Sequence, residues 1–239
     1  MELSPRENVL RLRADALRPP QPAVLLEGIA ERLREAIIAG TLARGQRQGC
    51  RELAATFGVP FGTIRAALRQ LGEEGYVHSS GRTFEVAPLR LVAQELLLRR
   101  RRVEHALTRS AARLITPFGL RRLERLSQEM VEAQLRQDIT VLQRCNYRFH
   151  VCLYRHADRP DLLSEMQSLW SRFPFDLMTT MPDRSISVVE EHAAVLRALR
   201  SGNPDAAGRA MLEHIEQGWQ QFRQHYPLPR VRRHAGLVG

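Results

Sequence analysis

The sequence predicts a mostly α protein in two parts, an N-terminal winged helix-turn-helix and a C-terminal all-α helical bundle. Three observations carry that expectation. The chain has 239 residues, enough for two compact domains. Its first third holds three short apolar stripes at helical spacing followed by a hairpin signal. Beyond Pro88 the helical period continues with no further strand signal.

Residues 1–23 are expected to form a flexible arm that ends in Pro19, Pro20 and Pro22. The 24–88 domain then opens with a helix in which Leu25, Ile29, Leu33 and Ile37 share one face, and Gly40 stops it. A second helix fits RELAATFG, with Leu53, Ala54 and Phe57 inward and Gly58 as its terminator. A third fits TIRAALRQLGEEG, where Ile64, Ala67, Leu68 and Leu71 make the buried stripe and Gly75 ends it. YVHSSGRTFEVAP reads as two short strands about a turn at Ser80, Gly81 and Arg82. Three helices and a hairpin in this order make a winged helix-turn-helix.

Residues 89–225 read as six helices near 90–115, 118–137, 138–156, 160–174, 187–201 and 204–223. Ser187 followed by Glu190 has the spacing of a capping box. Asn203-Pro204 suits the start of the last helix, because proline's missing N–H costs nothing there. Residues 226–239 are expected to be a frayed basic tail.

Composition narrows the function classes. No apolar run approaches the ~18 residues needed to cross a bilayer, and Met1 to Pro22 lacks the apolar core of a signal peptide. Cys50, Cys145 and Cys152 are odd in number and form no C-x-x-C, which fits reduced thiols in a cytoplasmic protein. The net charge of +10 favours a polyanion partner. Its distribution is uneven: residues 24–88 carry eight arginines against seven acids, whereas 89–125 carry ten against three. Bulk charge therefore does not mark the DNA-reading segment.

The string IAERLREAIIAG…RELAATFGV…TIRAALRQLGEEGYV resembles the winged helix of the GntR family of transcription regulators. Glu52-Leu53-Ala54, Gly58-Val59, Ile64-Arg65, Ala67-Leu68, Leu71 and Gly75 all fall in register. The resemblance implies that Arg51, Thr63 and Arg65 contact double-stranded operator DNA, with Gly81 and Arg82 at the wing tip and Arg69 one turn beyond Arg65. Guanidinium groups suit this work, since they bond two phosphate oxygens or the O6/N7 edge of guanine. Pro60-Phe61-Gly62 stands where the family has Ser-Arg-Thr, Ala66 replaces a common Glu, and Arg44 replaces the Pro of a P-G turn. Phe61 is thus expected to touch a thymine methyl or to pack internally.

Asn146 and His150 lie four apart and share a helix face, while His192 and His214 each sit on a helix of their own. With Glu191-His192 and the run from Ala207 to His214, this series resembles the FCD branch of the GntR family across residues 89–223. The resemblance implies a divalent metal, Zn or Ni, held by Asn146, His150, His192 and His214, with a small carboxylate effector completing the coordination. Asn146 replaces the family's Asp and weakens that site, because a neutral amide oxygen is a poorer ligand than a carboxylate. Arg100 matches the Arg of an R-x-x-L-E pattern and is expected either to pair with Glu104 or to hold the effector carboxylate. His105, His156 and His225 read as ordinary core or surface histidines.

The expectation is a homodimeric, ligand-responsive regulator rather than an enzyme, with no membrane contact. Two alternatives stand beside it. One is a degenerate regulator acting as a binding or dimerisation module, motivated by Phe61-Gly62. The other is a three-histidine metalloenzyme, which lacks a general base such as the Glu of H-E-x-x-H next to its ligands.

Overall fold

The computed structural model describes residues 22–88, 94–176, 181 and 184–226. Most of the N-terminal arm and of the basic tail expected above lies outside the described residues. Helix α1 (Pro22–Ile38) buries Ile29, Leu33 and Ile37 on one face, as their spacing requires. Strand β1 (Arg47–Gly49) leads into α2 (Cys50–Phe57) and α3 (Phe61–Glu74). Gly58 and Gly75 end these helices at φ 64° and 90°, in left-handed backbone that a Cβ disfavours.

Strands β2 (Val77–Ser80) and β3 (Thr83–Val86) form the hairpin, with Gly81 at φ 60° in its two-residue turn. The sheet is three-stranded in the order β1-β3-β2, all antiparallel. The expected hairpin is present, but β1 escaped the pattern because Arg47-Gln48-Gly49 has no apolar alternation. Phe84 and Val86 turn inward from the sheet into the core that also holds Ile64, Leu68 and Leu71.

The bundle contains α4 (Gln94–Leu114), α5 (Pro117–Leu135), α6 (Ile139–Arg155), α7 (Pro160–Ser171), α8 (Arg184–Arg200) and α9 (Pro204–His225). Side-chain oxygens of Thr116, Asp138 and Asn203 accept the orphan amides of Gly119, Val141 and Ala206 at 3.0–3.1 Å, fixing three of the starts. Asn203-Pro204 opens α9 as expected. The capping box at Ser187 does not form, since α8 already runs from Arg184. Ser187 instead sits inside the helix, where its hydroxyl accepts from Gln221 Nε2 at 2.9 Å.

One core runs through both parts, from Ile29 to Phe222. Helix α1 lies on α6, where Glu35 accepts from Arg144 and Arg148 at 2.8–2.9 Å. The fully buried Arg34 forms a two-toothed pair with Glu74 of α3 at 2.6 Å, tying α1 to the third helix. Among the described residues, no helix is long and apolar enough to cross a membrane.

Candidate DNA interface and histidine centre

At the N-terminal part, Ile64, Ala67, Leu68 and Leu71 hold one face of α3 in the core, which turns Arg65 and Arg69 outward. Arg51 on α2 and Gly81 and Arg82 at the wing tip are exposed as well, and Thr63 is half-buried. Arg65, Arg69, Gly62, Ser79 and Gly81 line a groove of about 740 Å³ between α3 and the wing. Phe61 does not project from the surface. Its ring is half-buried against the core, with the Arg51 and Arg65 guanidinium carbons 6.0 and 5.9 Å from its centre. An aromatic ring at this position therefore steadies two arginines. Arg69 is partly engaged, its Nη1 lying 3.2 Å from Glu73. The Cys50 thiol, in the same groove, is pushed up by burial, which outweighs the opposing pull of Arg65.

In the bundle, α6, α8 and α9 bring His150, His192 and His214 together, all three buried and with ligand atoms within 4.8 Å of one another. Their outer nitrogens are each held. His192 Nδ1 lies 2.6 Å from the Val188 carbonyl, and His214 Nδ1 lies 2.6 Å from Glu191 Oε2. His150 Nδ1 meets the Tyr154 hydroxyl at 3.1 Å, and that hydroxyl donates to Glu104 Oε2 at 2.8 Å. A carbonyl and a carboxylate only accept, and a hydroxyl that donates elsewhere has only its lone pairs to offer. All three Nδ1 atoms therefore carry the proton, and each neutral imidazole presents a bare lone pair at Nε2.

Those lone pairs converge: His150 Nε2 lies 3.1 Å from both His192 Nε2 and His214 Nε2. Neutral nitrogens facing one another at that distance repel unless a cation sits among them. Burial holds the rings neutral: it pushes His192 down to about 4 against the opposing pull of the Val188 carbonyl and Glu191, and His150 and His214 well below their usual value, with Arg100 and Arg184 lowering these two further. Proximity to Glu191 does not reverse this at His214, because Glu191 already answers the buried Arg184 at 2.7 Å.

Asn146 lines a cavity of about 20 Å³ beside His214, Gln143, Arg100 and Arg184. Its Oδ1 is buried and without a hydrogen-bond partner. The donor set fits a divalent ion: three imidazole nitrogens held by outer partners and one unused amide oxygen. Arg100 makes the expected pair with Glu104. It donates to Glu104 Oε1 at 2.7 Å and also lines the cavity, with the Phe173 and Phe175 ring centres 4.0 and 5.1 Å from its guanidinium carbon. His105 and His156 pack as ordinary histidines. A Cβ on Gly208 or Gly119 would meet them at 2.8 and 2.3 Å, so these two glycines are what lets the rings in.

Sequence reasoning missed Arg184, which falls before the start expected for α8. It also missed Tyr154 and Trp170. Tyr154 was findable, standing four residues after His150 on the same face. Trp170 Nε1 donates to Glu104 Oε1 at 3.0 Å and left no spacing signal.

Comparison with known proteins agrees with both halves. Residues 25–83 match the family described as bacterial regulatory proteins, gntR family, and residues 95–217 match the FCD domain. An Escherichia coli (strain K12) protein provisionally named L-lactate dehydrogenase operon regulatory protein is 27% identical over 222 residues, covering 81% of this chain and 84% of its own. The Mycobacterium gastri protein provisionally named HTH-type transcriptional regulator RmpR is 28% identical over 218 residues, covering 79% and 77%. The solved structure of E. coli McbR/YncC superposes with a TM-score of 0.70 at 21% identity, over 84% of this chain and 98% of that one. A Rhodococcus sp. RHA1 structure described as a GntR transcriptional regulator gives 0.61 at 25% identity, over 84% and 98%.

Proposed function

We propose, on the premise that this chain belongs to the gntR family of bacterial regulatory proteins and carries its FCD domain, that a small organic acid controls its hold on operator DNA through a metal centre in the bundle. The observation that carries this reading is the convergence of three Nε2 lone pairs at 3.1 Å, each oriented by a partner on the far side of its ring. His150, His192 and His214 would hold Zn²⁺ or Ni²⁺, with Asn146 Oδ1 as a weaker fourth ligand. The ion supplies open coordination positions for the oxygens of the acid. Arg100 supplies a buried positive charge for the remaining carboxylate oxygen. The name of the E. coli relative makes L-lactate a natural first acid to try.

On the DNA side, Arg51, Thr63, Arg65 and Arg69 would meet the major groove and its phosphates, with Gly81 and Arg82 reaching the flanking backbone. Two copies bound as a homodimer would set the half-site spacing, and effector binding would select one arrangement of the two readers. The half-buried Phe61, flanked by arginines, supports an intact reader rather than a decayed one. Fluorescence anisotropy on the duplex upstream of its own gene tests the reading. Affinity should fall steeply with salt and change when Zn²⁺ and L-lactate are added. Absence of binding at every salt concentration would refute it.

A further inference from the structure

The effector cavity and the DNA reader share a wall, and one arginine holds that wall to the reader. The cavity is about 20 Å³, room for roughly one water molecule. An organic acid of several heavy atoms enters only if the wall moves. Part of that wall is Phe173 and Phe175, stacked on Arg100 and buried. Both belong to the segment that runs from the last residue of α7, residues 171–176, and this segment lies directly under the winged helix. A Cβ at Gly75, the C-terminal cap of α3, would sit 3.1 Å from Ser171 Oγ.

Arg44, in the turn between α1 and β1, reaches across with every arm of its guanidinium. Nε donates to Asp176 Oδ1 at 2.9 Å, Nη2 to the Phe173 carbonyl at 2.9 Å, and Nη1 to the carbonyls of Ser171 and Ala87 at 3.3 Å. Its own turn is sewn to the wing, with Gly45 N–H donating to the Val86 carbonyl at 2.9 Å and Val86 N–H to the Gln46 carbonyl at 3.0 Å. The grip is thus on backbone at the segment's head, its middle and the end of β3. A fork of planar donors can hold three such carbonyls at once, which an ammonium cannot.

We infer that Arg44 is the coupling residue of this regulator: filling the cavity displaces Phe173 and Phe175, and Arg44 carries the shift of residues 171–176 into the turn and wing that orient α3. The inference rests on the effector reading above. It makes Arg44 a positioning residue, its guanidinium being engaged by Asp176 and the carbonyls of Ser171, Phe173 and Ala87.

Amide hydrogen exchange on the full-length protein tests it, with Zn²⁺ plus excess L-lactate as the probe, on wild type, Arg44→Met and Arg44→Lys. In wild type the probe should alter exchange around His150, His192 and His214 and also change it by at least about fivefold across residues 40–46 and 84–88. In Arg44→Met the change around the histidines should persist while the change at the turn and wing is lost. Arg44→Lys, which keeps a donor for Asp176 but not the carbonyl grip, should lose most of it and guards against a folding defect in the first variant. An equal response at the turn in all three proteins overturns the inference. If the probe leaves the histidines of wild type untouched, the effector reading falls by itself. Phe173→Leu, made with and without Arg44→Met, then decides without any ligand. Loosening of residues 40–46 only when Arg44 is present supports the coupling, and equal loosening in both backgrounds overturns it.

Discussion

Glu104→Gln should switch the tautomer of a histidine that the mutated side chain does not touch. Glu104 is fully buried and accepts three hydrogen bonds: Arg100 Nε at 2.7 Å and Trp170 Nε1 at 3.0 Å on Oε1, and Tyr154 at 2.8 Å on Oε2. An amide in its place keeps a carbonyl oxygen toward Arg100 and Trp170 and so turns its NH₂ toward Tyr154. That hydroxyl must then accept, which frees its proton for His150 Nδ1, 3.1 Å away. The imidazole proton moves to Nε2 and occupies the position a metal needs. Loss of such an outer partner costs about 10- to 100-fold in metal affinity, or about 1.4–2.7 kcal/mol. Stability falls too. A buried cation left without its carboxylate costs about 3–5 kcal/mol, and the Phe173 and Phe175 rings offset part of it, leaving about 1–3 kcal/mol. Zn²⁺ affinity, measured by competition with a chelator and followed through Trp170 beside the His150 ring, reads the first effect. Tyr154→Phe is the comparison: it removes the hydroxyl without presenting a donor and should lose less. A Glu104→Gln protein that binds Zn²⁺ as tightly as wild type would refute the tautomer argument.

Arg65→Ala should weaken DNA binding and lower the slope of log affinity against log salt by about 1 if the lost contact is to phosphate, measured by anisotropy across a salt series. In chelator, stability should fall with acid. The neutral imidazoles have folded values below their unfolded one, so the unfolded chain binds more protons, and stability drops as pH falls from about 6.5 toward the value of about 4 at His192. Urea midpoints taken through that range should fall less in His192→Phe. Gly119→Ala should cost about 1–3 kcal/mol, because its Cβ would lie 2.3 Å from the ring nitrogen of His156, and a thermal melt should show about 2–4 °C per kcal/mol.

Much of this was legible in the sequence for a physical reason. Ile64, Ala67, Leu68 and Leu71 must face one way on a helix, so the outward direction of Arg65 followed from their spacing. Glycines at 58, 75 and 81 marked turns because only they adopt positive φ cheaply. The three histidines met because each rode the inward face of an amphipathic helix. What failed to show had no local signature. Strand β1 is held by its partner β3 rather than by its own pattern. Arg184 and Glu191 stand two turns apart on one face of α8, and their pairing at 2.7 Å went unread because Arg184 precedes the start expected for that helix. Arg44 looked like a mere departure in a turn, and its four bonds go to residues up to 132 positions away.

Elemental analysis joined to native mass spectrometry of the purified protein, with His150→Ala beside it, tests the histidine centre most directly. One Zn²⁺ or Ni²⁺ per chain in the wild type, absent from the variant, is the predicted result. Metal-free wild-type protein that stays metal-free after incubation with excess Zn²⁺ and Ni²⁺ would contradict the account.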